Sequence, residues 1–184
     1  FVLHGYGMPA YNFLQEFKEL NNENFLIVSP EGLSRFYTKG FYGNIGASWM
    51  TSEDRQNEIN DYVNYLDEVY TEVLSSLESK PDKIIFLGFS QGGATVTRWA
   101  VNGKSEANIL IIHSSDIPKD VDFDSLKEKS DKMKIHCVHG DEDKAVRKEN
   151  FERSLNLLKE KNINFTLHSF HGGHEVNIES IKKI

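Results

Sequence analysis

The sequence predicts an α/β protein with a mostly parallel central sheet and helices on both of its faces. Short apolar runs of strand character alternate along the chain with stretches in which apolar residues recur every three or four positions. Such alternation is typical of parallel strands joined by helical crossovers. No internal repeat, low-complexity tract or linker interrupts it, so we expect residues 1–184 to form a single domain.

Six segments are predicted as strands: Phe1–His4, Phe25–Ser29, Ile84–Leu87, Ile109–Ile112, Ile135–His139 and Phe165–Phe170. Five helical segments accompany them. Steps of three and four mark their buried faces: Phe13, Phe17 and Leu20; Ile59 to Leu77; Gln91 to Val101; Phe151, Leu155 and Leu158; and Ile178 with Ile181. Ligands of such sheets bind beyond the carboxyl ends of the strands, so the loops after the strands are the places to search.

Composition and charge exclude several classes of function. The formal net charge of −7 argues against nucleic acid and anionic membranes as partners, because both need a positive face. The single cysteine, Cys137, excludes an internal disulfide framework and suits a reducing compartment, so we expect a cytoplasmic protein. We find no apolar run near the ~20 residues of a transmembrane helix and no signal-peptide pattern. The sequence opens inside a predicted strand, at Phe1 rather than Met, which leaves missing upstream strands or a removed targeting segment open.

The segment 30–54 is too long for a plain connection. Long loops in compact domains are usually functional or disordered, and a high aromatic content argues against disorder. Five aromatic residues lie here: Phe36, Tyr37, Phe41, Tyr42 and Trp49. We expect this segment to help wall a binding pocket. The alternative is that it covers a sheet edge and packs a small core of its own.

The segment Gly88-Phe89-Ser90-Gln91-Gly92 matches the pattern G-x-S-x-G and lies between a predicted strand and a predicted helix. In a nucleophile elbow, this turn forces the serine into a strained conformation and brings its neighbours so close that only small residues fit. The helix N-terminus supplies unpaired N–H groups for a developing oxyanion. The alternative is a glycine-rich turn that serves only strand–helix packing.

A nucleophilic serine needs a base, and the base needs an orienting carboxylate. The elbow motif predicts that an acid and then a histidine follow on later strand ends. The fifth predicted strand leads into Asp141 and Asp143, and the sixth leads into His171 and His174. The residues alone leave the choice within each pair open.

A metal site is the competing interpretation of the histidines near strand ends. No H-E-x-x-H motif, paired-cysteine spacing or dense carboxylate cluster accompanies them. We therefore expect neither a catalytic metal nor another cofactor.

Six motifs together resemble the phospholipase/carboxylesterase family of α/β-hydrolases, which includes the acyl-protein thioesterases. They cover most of the chain: LHGYG, PEG, GASWM, GFSQGG, HGDEDKAV and GGHEV. The resemblance implies an α/β-hydrolase fold and a catalytic triad of Ser90, Asp143 and His174. The sequence has no segment for a large cap domain, so we expect an open cleft.

An oxyanion hole requires two donors about 3 Å from the developing negative oxygen. The elbow motif assigns one to the backbone N–H of Gln91, the residue after the nucleophile. The resemblance implies the N–H of Tyr6 as the other, with His4 as a structural support of the same loop. The alternative is that the glycines on either side of Tyr6 merely form a turn.

The resemblance also places the segment of Trp49 near the acyl site. We expect Trp49, Met50 and Phe89 to line the substrate pocket, with simple packing as the alternative for Trp49.

These observations predict a serine hydrolase that cleaves carboxylic esters of short to medium acyl chain through an acyl-enzyme. The alternatives are an acyl-protein thioesterase or lysophospholipase, and a non-catalytic α/β-hydrolase fold that binds a ligand or partner. The expected partner is a small-molecule ester or thioester, and a homodimer is a further expectation.

Overall fold

The structure is a computed structural model that describes residues 1–20 and 24–184. The described residues form seven strands: β1 Val2–Leu3, β2 Ser34–Tyr37, β3 Ile45–Ser48, β4 Ile85–Phe89, β5 Ile109–His113, β6 Lys134–Gly140 and β7 Phe165–Phe170. They also form six α-helices: α1 Ala10–Gln15, α2 Arg55–Ser76, α3 Gln91–Asn102, α4 Phe123–Ser130, α5 Lys148–Glu160 and α6 Ile178–Ile181. A 3₁₀ helix, Lys18–Leu20, follows α1.

The central sheet has five strands in the order β1-β4-β5-β6-β7, and every neighbouring pair is parallel. This arrangement confirms the predicted parallel sheet. All residues of the middle strand β5 are buried, as expected for a strand covered on both faces. Because the strands are parallel, the loops after β1, β4, β6 and β7 all emerge at one edge of the sheet.

Helices cover both faces of the sheet, as predicted. Neighbouring residues of β5 point to opposite faces. Ile112 belongs to the cluster that contains Leu66 of α2 and Trp99 of α3. Ile111 belongs to the second cluster, which contains Phe13 of α1. The buried apolar area on the two faces holds the sheet rigid, and the sheet in turn fixes the loops at its carboxyl edge.

The predicted strand Phe25–Ser29 is wrong, because residues 25–29 carry no strand. Val28 still accepts a hydrogen bond from the N–H of Val2 at 2.8 Å, but β1 has only two residues and offers little ladder to pair with. Phe25 and Leu26 are 48% and 63% exposed, and only Ile27 of this segment packs, partly buried, against the core cluster of Phe13.

Two elements were not predicted. The segment 30–54 contains an antiparallel hairpin of β2 and β3, whose Phe36 stacks on Tyr6 at 5.1 Å between ring centroids. The N–H of Gly7 donates to the carbonyl of Ala47 at 2.8 Å, so the hairpin is fastened to the loop after β1. Helix α4 buries one residue, Leu126, and therefore has too weak an apolar stripe to be seen in the sequence.

Candidate active site

The turn between β4 and α3 has the geometry of a nucleophile elbow. Ser90 has φ 55° and ψ −120°, a strained conformation that costs of order 1–3 kcal/mol. A Cβ at Gly88 would lie 2.0 Å from the carbonyl oxygen of Gly92, and one at Gly92 would lie 2.1 Å from that of Leu3. Both glycines are thus required by close backbone approach. The N–H of Ser90 donates to the carbonyl of His113 at 3.0 Å, which fixes the turn on β5.

The structure brings Ser90, His174 and Asp143 together in one hydrogen-bonded row. The Nε2 atom of His174 lies 2.9 Å from Ser90 Oγ, and its Nδ1 atom lies 2.8 Å from Asp143 Oδ2. A carboxylate only accepts, so Nδ1 carries the proton and Nε2 is left as the acceptor of the serine hydroxyl. The histidine therefore has the tautomer that a general base needs.

The Asp143 side chain is fully buried, and its carboxylate is held from several sides. Its Oδ1 accepts the N–H groups of Ala145 at 2.8 Å and Val146 at 3.0 Å. Burial alone raises the pKa of Asp143, but the hydrogen bonds from His174 and these two N–H groups outweigh it. The pKa of the carboxyl is therefore lower than usual, and the group is ionised.

The other acid and histidine of the sequence alternatives lie outside this row. His171 Nδ1 lies 3.3 Å from Asp141 Oδ2, and the two side chains are 82% and 56% exposed. Asp141 also accepts the N–H of Gly172 at 3.1 Å. They form a surface contact that braces the turn before His174, whereas Asp143 is the acid that reaches His174.

The two expected oxyanion donors lie beside Ser90. Gln91 is the first residue of α3, so its N–H belongs to the helix turn that has no partner within the helix. The N–H of Tyr6 makes no hydrogen bond within residues 1–20 and 24–184. Tyr6 and Gly5 border the same hollow as Ser90 and His174. In the described part of the chain, both N–H groups are therefore without a backbone acceptor next to Ser90, which is what an oxyanion donor requires.

Side-chain contacts hold the loop of Tyr6. His4, which is fully buried, accepts the N–H of Gly32 on Nε2 at 2.9 Å, so its Nδ1–H donates to the carbonyl of Gly5 at 2.8 Å. Burial lowers the pKa of His4, which keeps the ring neutral and able to accept. The indole Nε1–H of Trp49 donates to the carbonyl of His4 at 2.9 Å.

The Gln91 side chain ties the elbow to the segment after β3. Its Nε2 donates to Ser48 Oγ at 3.0 Å and to the carbonyl of Met50 at 2.9 Å. Its Oε1 accepts the N–H of Trp49 at 3.1 Å. The sequence gives no sign of this role, because a glutamine after the serine could equally face solvent.

A hollow of about 320 Å³ opens over Ser90 and His174. It is lined by Gly5, Tyr6, Met8, Glu16, Phe89, Ser90, His174, Glu175 and Val176. Of the three residues expected to line the pocket, Phe89 does. Met50 instead borders a second hollow, on the Gln91 side of the elbow.

Trp49 does not line either hollow; the structure corrects this expectation and places it in the core. Its side chain is 1% exposed, and its ring lies 5.0 Å from His4 and 6.4 Å from Tyr62 between centroids. The large apolar ring is more stable when buried, and its N–H finds an acceptor there. The side chain therefore supports the oxyanion loop from behind.

The sequence places His113, the last residue of β5, at a strand end expected to border the cleft, but it does not show what the side chain does. It is fully buried, and its Nε2 accepts the N–H of Asn177, three residues after His174, at 3.0 Å. Its Nδ1 therefore carries the proton and faces Ser114 Oγ at 3.1 Å. Burial lowers the pKa of His113 to about 3, so the ring stays neutral and holds the loop of His174.

Within residues 1–20 and 24–184, no group of three or more His, Cys, Asp and Glu side chains is placed to hold a metal ion. Cys137 is buried in the core, and burial raises the pKa of its thiol to about 12. Among the described helices, none combines the length and apolar character needed to cross a membrane.

Solved structures with the same fold cover 99% of this chain. Acyl-protein thioesterase 2 of Zea mays is similar at 21% identity and a TM-score of 0.72, with 88% of its chain covered. SOBER1 of Arabidopsis thaliana is similar at 17% identity and a TM-score of 0.75, with 92% covered. The Bacillus cereus carboxylesterase is similar at 15% identity and a TM-score of 0.70, with 83% covered. At these identities the likeness establishes the α/β-hydrolase fold.

Comparison with curated protein sequences gives no significant match. The sequence profile of the family described as Phospholipase/Carboxylesterase, in contrast, matches residues 1–184, the whole chain. The fold, the elbow and this match agree with the resemblance seen in the sequence motifs. The chain belongs to the phospholipase/carboxylesterase family of α/β-hydrolases.

Proposed function

We propose that this protein is a serine hydrolase that cleaves carboxylic esters of short to medium acyl chain through an acyl-enzyme. The observation that carries the proposal is the row from Ser90 Oγ through the His174 imidazole to the buried Asp143 carboxylate, with contacts of 2.9 and 2.8 Å. A serine in a strained turn and an ionised, buried acid are arrangements that catalysis requires and stability does not.

In the first half of the reaction, Ser90 Oγ attacks the ester carbonyl carbon while His174 Nε2 takes the hydroxyl proton. The carbonyl oxygen becomes negative and accepts the N–H groups of Tyr6 and Gln91. Asp143 stabilises the imidazolium without taking its proton. His174 then gives the proton to the alcohol oxygen, which leaves, and the acyl group stays on Ser90.

In the second half, a water molecule takes the place of the alcohol. His174 Nε2 accepts a proton from the water, whose oxygen attacks the acyl carbon. The same two N–H groups stabilise the second oxyanion. The acid product leaves when His174 returns the proton to Ser90 Oγ, so the enzyme is regenerated.

The hollow over Ser90 supports a substrate with a small or medium acyl group. Its volume of about 320 Å³ lies at the lower end of the range for ligand sites. Met8, Phe89 and Val176 give it an apolar lining next to the polar reacting groups.

An acyl-protein thioesterase or lysophospholipase is the second candidate. The observation that favours it is the exposed aromatic tip of the β2–β3 hairpin, where Tyr37, Phe41 and Tyr42 are 54%, 87% and 96% exposed. Phe36 of the same hairpin stacks on Tyr6, which lines the hollow, so the hairpin extends an apolar surface from the hollow toward its tip, as a lipid-linked substrate would require.

The test is labelling with a fluorophosphonate, which reacts with activated serines. We expect one label per native chain, complete loss of labelling in Ser90→Ala, and ester turnover lower by about 10³-fold or more. The exposed Ser52 is the matched control, and Ser52→Ala should label like the native protein. Labelling that persists in Ser90→Ala, or folded native protein that does not label, would contradict the proposal and favour a binding-only protein.

Substrate class is then measured with p-nitrophenyl esters of increasing acyl length, a palmitoylated thioester peptide and lysophosphatidylcholine. The highest kcat/KM on esters of short to medium chain supports the first candidate. A higher kcat/KM on the thioester peptide or the lysophospholipid supports the second.

A further inference from the structure

His139 lies on β6, one residue before the loop that carries Asp143, and faces the Asp143 carboxylate. Its Nδ1 atom is 3.9 Å from Asp143 Oδ2. That nitrogen is buried and has no hydrogen-bond partner within residues 1–20 and 24–184. A buried polar atom without a partner is unusual and calls for an explanation.

Packing fixes the ring of His139 in this orientation. It stacks on Phe151 of α5 at 4.0 Å between centroids and 16° between planes. The side chain is only 14% exposed. A ring clamped in this way keeps the same nitrogen directed at the carboxylate, so the contact with Asp143 is a fixed feature of the fold.

The charge of Asp143 selects the tautomer of His139. If the proton were on Nε2, the lone pair of Nδ1 would face an ionised carboxylate in a buried place, where repulsion is strong. With the proton on Nδ1, an N–H dipole points its positive end at the negative oxygen. Which nitrogen carries the proton thus follows from the partner it faces, as for other histidines.

The hydrogen bonds of Asp143 leave one position free. Each carboxylate oxygen accepts about two donors. Oδ1 already has two, from Ala145 and Val146, whereas Oδ2 has one, from His174. His139 Nδ1 lies 3.9 Å from Oδ2, so this ring is placed near the oxygen that can still accept a donor.

We propose that His139 is a positioning residue of the triad, whose Nδ1–H acts as the fourth donor to Asp143 and holds Oδ2 in line with His174. This role rests on the proposed function. The contact is long in the free protein, and such contacts often shorten in the reacting complex. The hydrogen bond from His139 matters most when His174 is an imidazolium. The direction of Asp143 Oδ2 then decides how well the positive charge on His174 is stabilised.

Other groups around His139 favour its neutral form. Burial lowers the pKa of His139, and its interaction with His174 lowers it further, while Asp143 raises it. His113 of β5 interacts with the same group of charges. The stacking partner on α5, Phe151, carries no charge. His139 is therefore a neutral donor and does not compete with His174 for the proton.

Two substitutions of His139 test whether it acts as a hydrogen-bond donor to Asp143 or only as a packing residue. His139→Phe keeps an aromatic ring against Phe151 but removes the donor. His139→Asn places an amide N–H near the position of Nδ1. We expect kcat to fall about tenfold in His139→Phe with KM unchanged within about twofold, and to stay within about threefold of native in His139→Asn. Equal kcat in native and Phe variants, or equal loss in both variants, overturns the proposal.

The pH profile of kcat/KM gives a readout that packing alone does not move. Without its fourth donor the Asp143 carboxylate is less neutralised and favours the protonated form of His174. The acid limb should therefore shift upward by several tenths of a pH unit in His139→Phe. It should stay in place in His139→Asn, and a common shift in both variants contradicts the proposal.

An NMR measurement of the native protein is independent of catalysis and of whether a variant folds. Side-chain ¹⁵N shifts of His139 report which nitrogen is protonated. We expect a proton on Nδ1 in the native protein. A proton on Nε2 overturns the role of His139, whatever the fluorophosphonate result. A proton on Nδ1 in a protein that does not label leaves the contact standing while the proposed function fails.

Discussion

The loop that carries Ser90 and the loop that carries His174 reach the same edge of the sheet, but different forces shape them. The first is shaped by steric contact. Added Cβ atoms at Gly88 and Gly92 would lie 2.0 and 2.1 Å from backbone oxygens, far inside van der Waals contact. The backbone there has one conformation because two chain segments leave no room for another.

The loop of His174 is shaped by polar contacts. A Cβ at Gly173, directly before His174, would meet nothing within 4 Å. Gly172 approaches Gly140 closely, but from Gly173 onward polar contacts hold the loop. The N–H of Asn177 donates to the buried His113, and His174 itself contacts Asp143. His174, the proposed base, is therefore positioned by one acceptor at the end of β5 and another in the loop after β6.

The two kinds of constraint are not equally visible in a sequence. A steric requirement selects glycine, and glycines at fixed spacing are visible in five consecutive residues. A polar requirement selects an acceptor that can lie anywhere in the chain. The proposed nucleophile is thus a local feature of the sequence, whereas the placement of the proposed base depends on the whole sheet.

Alanine substitutions at Gly92 and Gly173 test the contrast between the two loops most strongly. Gly92→Ala should destabilise the protein by more than about 3 kcal/mol or abolish folding, because the new methyl group overlaps the carbonyl of Leu3. Gly173→Ala should change the free energy of unfolding by less than about 1 kcal/mol and ester kcat/KM by less than about threefold. Urea denaturation and steady-state kinetics measure both.

The matched pair can fail in two ways. A stable, active Gly92→Ala would show that the elbow relaxes and that sterics do not fix it. A Gly173→Ala variant that loses as much stability and activity as Gly92→Ala would show that steric contact also fixes the loop of His174. The contrast between the two loops would then not hold.

The second effect tests the polar support of the base. His113→Leu keeps the volume of the side chain but leaves the N–H of Asn177 buried without its acceptor, which costs about 1–3 kcal/mol. We expect kcat to fall several-fold as His174 loses its fixed position. His113→Gln, whose side-chain oxygen can accept the same N–H, is the control and should recover most of both losses. Unchanged stability in His113→Leu would mean that the hydrogen bond is not required.

The third effect is a dependence of stability on pH. The folded protein holds His113 neutral with a pKa of about 3, whereas in the unfolded chain it titrates near its ordinary value of about 6.5. Below pH 6.5 the unfolded state binds more protons, so the free energy of unfolding falls as the pH falls. The contribution of His113 lost between pH 7 and pH 5 is roughly 2 kcal/mol.

His113→Gln should remove that part of the slope, which chemical denaturation at pH 7, 6 and 5 would show. His4 is also buried with a lowered pKa, so the variant should keep a smaller slope of the same sign. Equal slopes in native protein and variant would mean that His113 is already protonated or exposed in the folded state.

Sequence reasoning predicted the parallel sheet, the helices on both faces and the elbow, because each has a periodicity or a spacing that the chain repeats locally. It placed Trp49 in the pocket and predicted a strand at Phe25–Ser29, since neither burial nor strand pairing can be read without knowing the neighbours. It assigned no role to His113, because a histidine at the end of an apolar strand has the same appearance whether it binds substrate, solvent or a backbone N–H.

Because burial cannot be read from the sequence, the residue types alone could not decide whether Asp141 or Asp143 is the acid. They lie two residues apart on one turn, and which of them is buried depends on how closely the loops after β6 and β7 approach each other. A Cβ at Gly140 would lie 2.5 Å from the carbonyl oxygen of Gly172, so this approach is tight. It turns Asp143 toward His174 and leaves Asp141 on the surface.

Substitutions at the exposed pair should change activity least, and they test whether Asp141 or Asp143 is the acid. Asp141→Asn and His171→Ala break a contact between side chains that are 56% and 82% exposed, and water readily replaces such a contact. We expect kcat/KM to change by less than about threefold in either variant, whereas Asp143→Asn should lower it by about 10²-fold or more. Steady-state kinetics on one ester compares all three. A large loss in Asp141→Asn with little loss in Asp143→Asn would move the acid role to Asp141. Large losses in both would show that the turn before His174 also determines where the proposed base lies.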